Sequence, residues 1–273
     1  MKIASWNVNS LKVRLPHLID WLEVAQPDIV ALQEIKLVDD AFPHAELEHL
    51  GYRALVSGQK TYNGVALLTR GKAVDPVCDI PGFDDPQRRV LAATVGDLRV
   101  VDLYVVNGQE VGSDKFSYKL SWLAALRTWL AAEIARYPNL IVLGDFNIAP
   151  DDRDVHDPAA WHEQILCSTP ERNALRALLE LGLSDSYRLF HQDGGQFSWW
   201  DYRDFGFRRN RGLRIDHILV SRALADKVTA FTASEFGRTL TNNGDGTDHG
   251  WGGHHFVFGA GVAGQRIYGK MPS

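Results

Sequence analysis

Short solid apolar runs alternate with longer periodic stretches along this chain. Ile3 to Val8 reads as a buried strand ending in the polar run Asn7-Val8-Asn9-Ser10. Leu11 to Ala25 follows, with Leu15, Leu18, Ile19 and Leu22 at helical spacing, and stops before Gln26-Pro27-Asp28. Ile29 to Leu32 is a second buried strand that runs straight into Gln33-Glu34, so this strand–helix–strand opening presents Asn7 and Glu34 at neighbouring strand ends. Tyr52 to Ser57 and Gly64 to Thr69 are short strands around a polar link. Val90 to Val95 and Leu98 to Val105 are joined by Gly96-Asp97, a connection suited to a tight hairpin. Hairpins imply antiparallel pairing, which disfavours a doubly wound parallel sheet.

Lys115 to Tyr137 is a long helix with Phe116, Leu120, Leu123, Leu130 and Ile134 on one stripe, capped by Ser113 and ended by Pro138. Leu140 to Leu143 is another buried strand, closing in Gly144-Asp145-Phe146-Asn147. Residues 171–182 read as a helix stopped by Gly182, and Ile215 to Val220 as a strand carrying Asp216 near its start. The segment from Asn242 to His255, rich in Gly and His, reads as loop. No low-complexity linker divides the chain, so residues 1–273 are expected to form one α/β domain with an atypical tail over 231–273.

Composition narrows this picture without redirecting it. The chain is 45% apolar, 23% charged and 10% aromatic, which excludes wholesale disorder, collagen and coiled coil. Cys78 and Cys167 lie far apart with no Cys or His at ligand spacing, so neither a disulfide framework nor a zinc knuckle is expected; both read as buried thiols. No apolar run approaches the ~18 residues of a membrane span. The opening Met1 to Trp6 lacks a secretory apolar core, so a cytoplasmic protein is expected, with no membrane partner. A formal charge of −5 gives no hint of nucleic acid; any such reading must come from local patches.

Four polar groups recur at strand ends: Asn7, Glu34, the Asp145/Asn147 pair and Asp216. Singly, each is an ordinary loop residue or helix cap. Together, carboxylates and carboxamides that repeatedly close apolar strands point to one oxygen-rich site, suited to Mg²⁺ or Mn²⁺ rather than zinc. Such a site fits phosphoester hydrolysis. A basic patch adds a second theme. Arg203, Arg208, Arg209, Arg211 and Arg214 are interleaved with Phe205 and Phe207 and preceded by Trp199, Trp200 and Tyr202, which suits a phosphate backbone with an unstacked nucleotide. Lys60, Arg88, Arg89 and Lys115 are further candidate phosphate contacts. His217, beside Asp216 on its strand, should face the other way and reads as a core histidine.

These residues sit in motifs. Ile3-Ala4-Ser5-Trp6-Asn7-Val8-Asn9-Ser10, Leu32-Gln33-Glu34-Ile35-Lys36, Leu143-Gly144-Asp145-Phe146-Asn147-Ile148-Ala149-Pro150 and Arg214-Ile215-Asp216-His217-Ile218-Leu219 resemble, in order, the motif series of the exonuclease III family. Those proteins are apurinic/apyrimidinic endonucleases of the DNase I-like phosphoesterases. Gly108 to Lys115 and Phe197 to Arg203 strengthen the resemblance, which runs from Met1 to about Val228.

The resemblance implies a four-layer α/β sandwich, two packed mixed sheets flanked by helices, with the site at one edge. It implies Glu34 as principal Mg²⁺ ligand with Asn7 beside it, and Asp145 and Asn147 at the metal and the phosphate. Asp145 would position or deprotonate the attacking water, or protonate the leaving oxygen, and Tyr104 would sit against the phosphate. Trp199, Leu213 and Ile215 would line a pocket for a base-less deoxyribose, with Trp200, Arg208, Arg211 and Lys115 also at the DNA. The family's closing Ser-Asp-His-Ala-Pro run is missing; Thr247-Asp248-His249-Gly250-Trp251 stands near its place. Carried over, Asp248 would help at the metal and His249 would contact the phosphate while bonded to Asp216, with His254 or His255 as substitutes.

Three activities stay open at this point. One is a Mg²⁺-dependent nuclease, with Mn²⁺ able to substitute, that cuts double-stranded DNA 5′ to abasic sites, with 3′–5′ exonuclease and 3′-phosphatase activity; a monomer is expected. The second is the same fold acting on a non-DNA phosphate ester. The third is a damaged-DNA-binding protein impaired in catalysis by its altered tail.

Overall fold

The computed structural model of the chain describes residues 1–201, 203–228, 237–242 and 247–250, the last two segments and residue 204 as backbone alone. Its elements, in order, are β1 (Ile3–Asn7), α1 (Leu11–Ala25), β2 (Ile29–Gln33), α2 (His44–His49), β3 (Arg53–Ser57), β4 (Val65–Thr69), β5 (Ala73–Cys78), β6 (Val90–Val95), β7 (Leu98–Tyr104) and α3 (Asp114–Arg136). They continue with β8 (Leu140–Asp145), α4 (Thr169–Leu179), β9 (Leu183–Asp185), β10 (Trp199–Trp200), β11 (Gly212–Leu213), β12 (Asp216–Ser221), α5 (Arg222–Ala225), β13 (Gly237–Asn242) and β14 (Thr247–Gly250).

The strands form a four-stranded sheet in the order β1-β2-β4-β3 and a six-stranded sheet in the order β5-β6-β7-β8-β12-β9. Both are mixed: β1 and β2 run parallel, as do β7 and β8, while the other pairs are antiparallel. The alternation of each strand explains the layering. Ile29 and Ala31 of β2 point between the sheets, against Val100, Ile141 and Leu143, whereas Val30 and Leu32 point outward beneath Leu11, Leu18 and Leu22 of α1. On the second sheet Leu140 and Val142 face Trp122, Leu123 and Leu126 of α3, with Leu175 and Leu178 of α4 in the same cluster. The result is helix, sheet, sheet, helix: the four-layer α/β sandwich.

Two local features set the site edge. The Gly96-Asp97 hairpin pairs Val95 with Leu98, as its spacing predicts. Gly144 has φ +138°, and a Cβ there would lie 2.0 Å from the Leu103 carbonyl oxygen. Only glycine lets β8 come this close to β7 one residue before Asp145.

Some expectations are corrected. The helix read over 171–182 spans Thr169–Leu179, because a Ser168/Glu171 capping box starts it earlier; the turn through Glu180 and Leu181 carries the chain to Gly182. Along α3 the inward position is Lys119, fully buried, while Leu120 is only half-buried. Cys78 is exposed, not buried, because it closes the edge strand β5; Cys167 is buried as expected. The tail is not all loop, since β13 and β14 pair antiparallel with Arg238 opposite His249. No helix among the described residues is long and apolar enough to cross a membrane.

Candidate active site

Five strands deliver their polar residues to one edge. Asn7 ends β1 in register with Gln33, Tyr104 ends β7 opposite Asp145, and Asp216 begins the antiparallel β12 opposite Asp145 on its other side. Parallel strands end together and an antiparallel neighbour starts where they end, so residues far apart in sequence converge. Asn7 Nδ2 donates to both Glu34 Oε1 (2.8 Å) and Asp145 Oδ2 (2.9 Å), tying the two sheets' carboxylates to one nitrogen. Lys36 Nζ sits 3.0 Å from the other Glu34 oxygen and donates to Asn9 Oδ1 at 2.5 Å. Asn147 N donates to Asp145 Oδ1 (2.9 Å), and the Asn147 amide bridges to Val105 O (3.0 Å) and Asn107 Nδ2 (3.1 Å). Ser198 Oγ accepts from the backbone of Asp216, but Asp216 Oδ2 is sealed from solvent and has no partner among the described residues.

Burial of so many oxygens shifts their protonation. Desolvation, opposed by the Asn7 amide and reinforced by Glu34, pushes Asp145 up to about 7. Asp216 is raised well above the carboxylate range by burial and by Asp145. Tyr104 is held firmly protonated by burial and by Glu34 and Asp145, although the Arg89 guanidinium stacks 4.6 Å from its ring centroid. Glu34 and Asn147 both adopt left-handed backbone, at φ +53° and +49°. Such strain at two side chains of one edge is typical of pre-organised sites.

The donor set fits a hard divalent cation. Its free acceptors are carboxylate oxygens of Glu34, Asp145 and Asp216, while Asn7 turns its nitrogen to the first two and its oxygen to Asn9 N; Asp216 Oδ2, without a partner among the described residues, marks unspent acceptor capacity. Among the described residues no three His, Cys, Asp or Glu side chains close into a complete cage, so the set is Glu34 and Asp145 with the Asn7 amide. The side chains of Asp248 and His249, like His254 and His255, lie outside the described residues.

The basic patch divides in two. Arg208, Arg209 and Arg211 are exposed, as are Lys60 and Lys115, while Arg203 is paired with Asp201. Arg214 is not a surface cation: it is buried, bonded to Asp154 (2.5 Å) and Asp185 (2.7 Å), because it precedes β12 on the core-facing side. Arg89 is also buried, donating to Tyr104 O and Gln87, and Arg88 pairs with Asp79, so neither stands free for a phosphate. Leu213 and Ile215, expected as pocket walls, are only 0% and 2% exposed and pack with Ala149, Val155, Leu166 and Cys167. Pairing of β10 with β11 turns them inward, leaving half-buried Trp199 as the exposed side of that cluster. Trp200 is held by Asn210 and edge-on rings of Phe197 and Phe207. His217 faces away from the site, accepting burial between Arg214 and the Ile148 carbonyl, and its pKa falls to about 4.

Pattern reading missed Lys119 and Glu171. Their only sequence signal was a polar residue on the inward stripe of α3 and a capping-box glutamate.

Comparison with known proteins agrees with this geometry. The profile of the Endonuclease/Exonuclease/phosphatase family matches residues 4–249. Exodeoxyribonuclease III of Haemophilus influenzae is 39% identical over 243 residues, covering 83% of this chain and 90% of the relative. DNA repair nuclease APEX1 of Danio rerio is 31% identical, covering 82% of this chain and 74% of the relative. Among solved structures, the 3′ phosphatase NExo from Neisseria, bound to product DNA hairpin, superimposes with a TM-score of 0.83 at 46% identity, covering 92% of this chain and all of that one. An AP endonuclease from Archaeoglobus fulgidus gives 0.83 at 30%, covering 96% of this chain and all of that one. With its site at the shared edge of two mixed sheets and a match across most of its length, the chain belongs to the endonuclease/exonuclease/phosphatase family.

Proposed function

We propose that this chain is a Mg²⁺-dependent DNA repair nuclease that cuts the backbone 5′ to abasic sites and clears 3′ ends as a 3′–5′ exonuclease and 3′-phosphatase. The observation that carries this is the Asn7 amide bonded at once to Glu34 and Asp145, beside an Asp216 oxygen that has no partner among the described residues. Glu34, Asn7 and Asp145 would hold the cation, with Asp248 as a further ligand from the tail; Mn²⁺ would fit the same oxygens. The chemistry supplied there when Mg²⁺ is bound is charge neutralisation on the phosphate.

The chain's own residues do the rest. Asp145, with a pKa near neutrality, exchanges a proton with the attacking water or the leaving oxygen. Asn147 uses one amide hydrogen on Val105 O and keeps the second for a phosphate oxygen. Tyr104, held protonated, is a donor to the phosphate. Asp216 Oδ2 is the acceptor that His249 would need, and the family match runs through residue 249. Arg208, Arg211 and Lys115 would hold the DNA backbone, with Trp199 against the deoxyribose.

Purified protein should incise an abasic duplex and release 3′ phosphate when Mg²⁺ is supplied, and do neither in a chelator. Turnover of a small phosphate ester with no DNA cleavage would move the substrate elsewhere; DNA binding with no cleavage would mean a silent site. A 3′-end preference has a specific support: the two Neisseria structures, solved as a 3′ phosphatase and a 3′–5′ exonuclease, are 46% and 47% identical, against 30% for the Archaeoglobus AP endonuclease. Relative rates on a 3′-phosphate and an abasic duplex decide between these emphases.

A further inference from the structure

The inward face of α3 is built from Phe116, Trp122, Leu123, Leu126 and Leu130, and Lys119 interrupts it with a side chain that has no exposed surface. An ammonium has three donors, and each finds an acceptor: Asn147 O at 2.8 Å, Asn107 O at 3.1 Å and Glu171 Oε1 at 2.5 Å. Glu171 is saturated in turn, taking Leu166 N (3.1 Å), Ser168 N (3.1 Å) and Ser168 Oγ (2.6 Å). Gly108 is fitted to this lysine, since with φ +90° a Cβ there would stand 3.0 Å from Lys119 Cδ.

Packing alone gives no reason for the charge. Replacing a buried ion pair with apolar groups of similar volume is often neutral or stabilising, so a leucine or methionine would serve the helix face as well. What an apolar residue would not do is hold two carbonyls of the loops that carry the site. Asn147 is one of the two, and its own N–H orients Asp145 Oδ1. Asn107 is the other, and its amide holds Asn147 Oδ1.

We infer that Lys119 is a positioning residue for hydrolysis: its ammonium pins the Asn107 and Asn147 loops and sets a fixed positive charge behind Asp145, with Glu171 as counter-ion. This rests on the nuclease reading above. A matched pair elsewhere provides the control: Arg99 and Glu133 are similarly buried and bonded at 2.7 Å, but Arg99 lies near the start of β7, at the end away from Tyr104.

The test is Lys119→Met combined with Glu171→Gln, which removes both charges together, against Arg99→Met combined with Glu133→Gln. On a 3′-phosphate duplex the first should lower kcat by about tenfold or more with KM within about twofold. The second should lower Tm while leaving kcat per folded molecule and KM in place. A cooperatively folded Lys119 variant with wild-type kcat overturns the inference. Should that variant not fold, heteronuclear NMR of the wild-type protein decides: a Lys119 ammonium protected from exchange and coupled to the Asn107 and Asn147 carbonyls is expected, and a rapidly exchanging one overturns it. A wild-type protein inactive on all DNA substrates would instead sink the nuclease reading.

Discussion

Two acidic clusters lie at this end of the six-stranded sheet, and they differ in one respect. Asp154 is fully buried and Asp185 largely so, yet Arg214 bonds both and Arg188 bonds Asp154 as well, so Asp185 is held below its ordinary pKa by Arg214 and His217 against burial. Asp145 is buried and the Asp216 Oδ2 sealed, but Asp145 takes its direct hydrogen bonds from the uncharged Asn7 and Asn147, the Lys119 ammonium reaching it only through Asn147, and Ser198 accepts from the Asp216 backbone. Both rise. Burial of carboxylates is therefore not what marks the site. The difference is the partner: the Arg214 cluster is bonded directly to guanidinium and holds the fold, whereas Asp145 and Asp216 have no directly bonded cation among the described residues.

Removing the cation-facing carboxylate should have the largest effect. Glu34→Ala should cut cleavage by about 10³-fold or more, the scale of several kcal/mol of lost charge stabilisation, with the folded state retained by circular dichroism. Near-normal rates at low Mg²⁺ would erase the distinction between the clusters.

Arg214→Met should do the reverse. It leaves Asp154 and Asp185 buried without their shared partner, costing about 3–5 kcal/mol in chemical denaturation, while kcat per folded molecule changes little. A large kcat loss in a stable variant would mean that the second cluster also serves chemistry.

The two clusters should also answer pH with opposite signs. Asp145 is raised from 3.8 to about 7, so its contribution to stability is complete below the unfolded pKa and is lost as pH rises through about 7. In chelator, Tm should therefore fall across that window, and added Mg²⁺ should restore it near neutrality because only the folded state binds. Asp185 is lowered, so its contribution is present above the unfolded pKa and is lost as pH falls below it. Asp145→Asn should flatten the first trend and leave the second.

The smallest expected effect is at the exposed arginines. Replacing Arg208 and Arg211 with alanine should raise KM several-fold and reduce the salt slope by about one per lost phosphate contact. An unchanged slope places that loop off the DNA.

The strand-end motifs were legible because the chemistry there is local. Asn7, Glu34, Asp145 and Asp216 each close or open an apolar run, and the run itself shows which end is polar. The Ser113 cap was equally readable, its Oγ accepting from Phe116 N three residues on. Arg214, Leu213 and Lys119 were not. Arg214 sat in a run of arginines that reads as one DNA-contacting loop, and Leu213 and Ile215 stood as pocket walls by family resemblance alone; only the pairing of β11 with β10 and the position before β12 turned these side chains inward.

Sequence determined this protein's elements, their α/β order and the oxygen-bearing residues at their edges, since hydrophobic periodicity and turn chemistry act over a few residues. Tertiary structure alone decided which charges meet. Lys119 finds Glu171 52 residues away and Arg214 finds Asp154 60 residues away, and a buried charge is stable only where such a partner closes on it. Which carboxylates are left without a cation depends on those distant pairings, and so does the place where hydrolysis can occur.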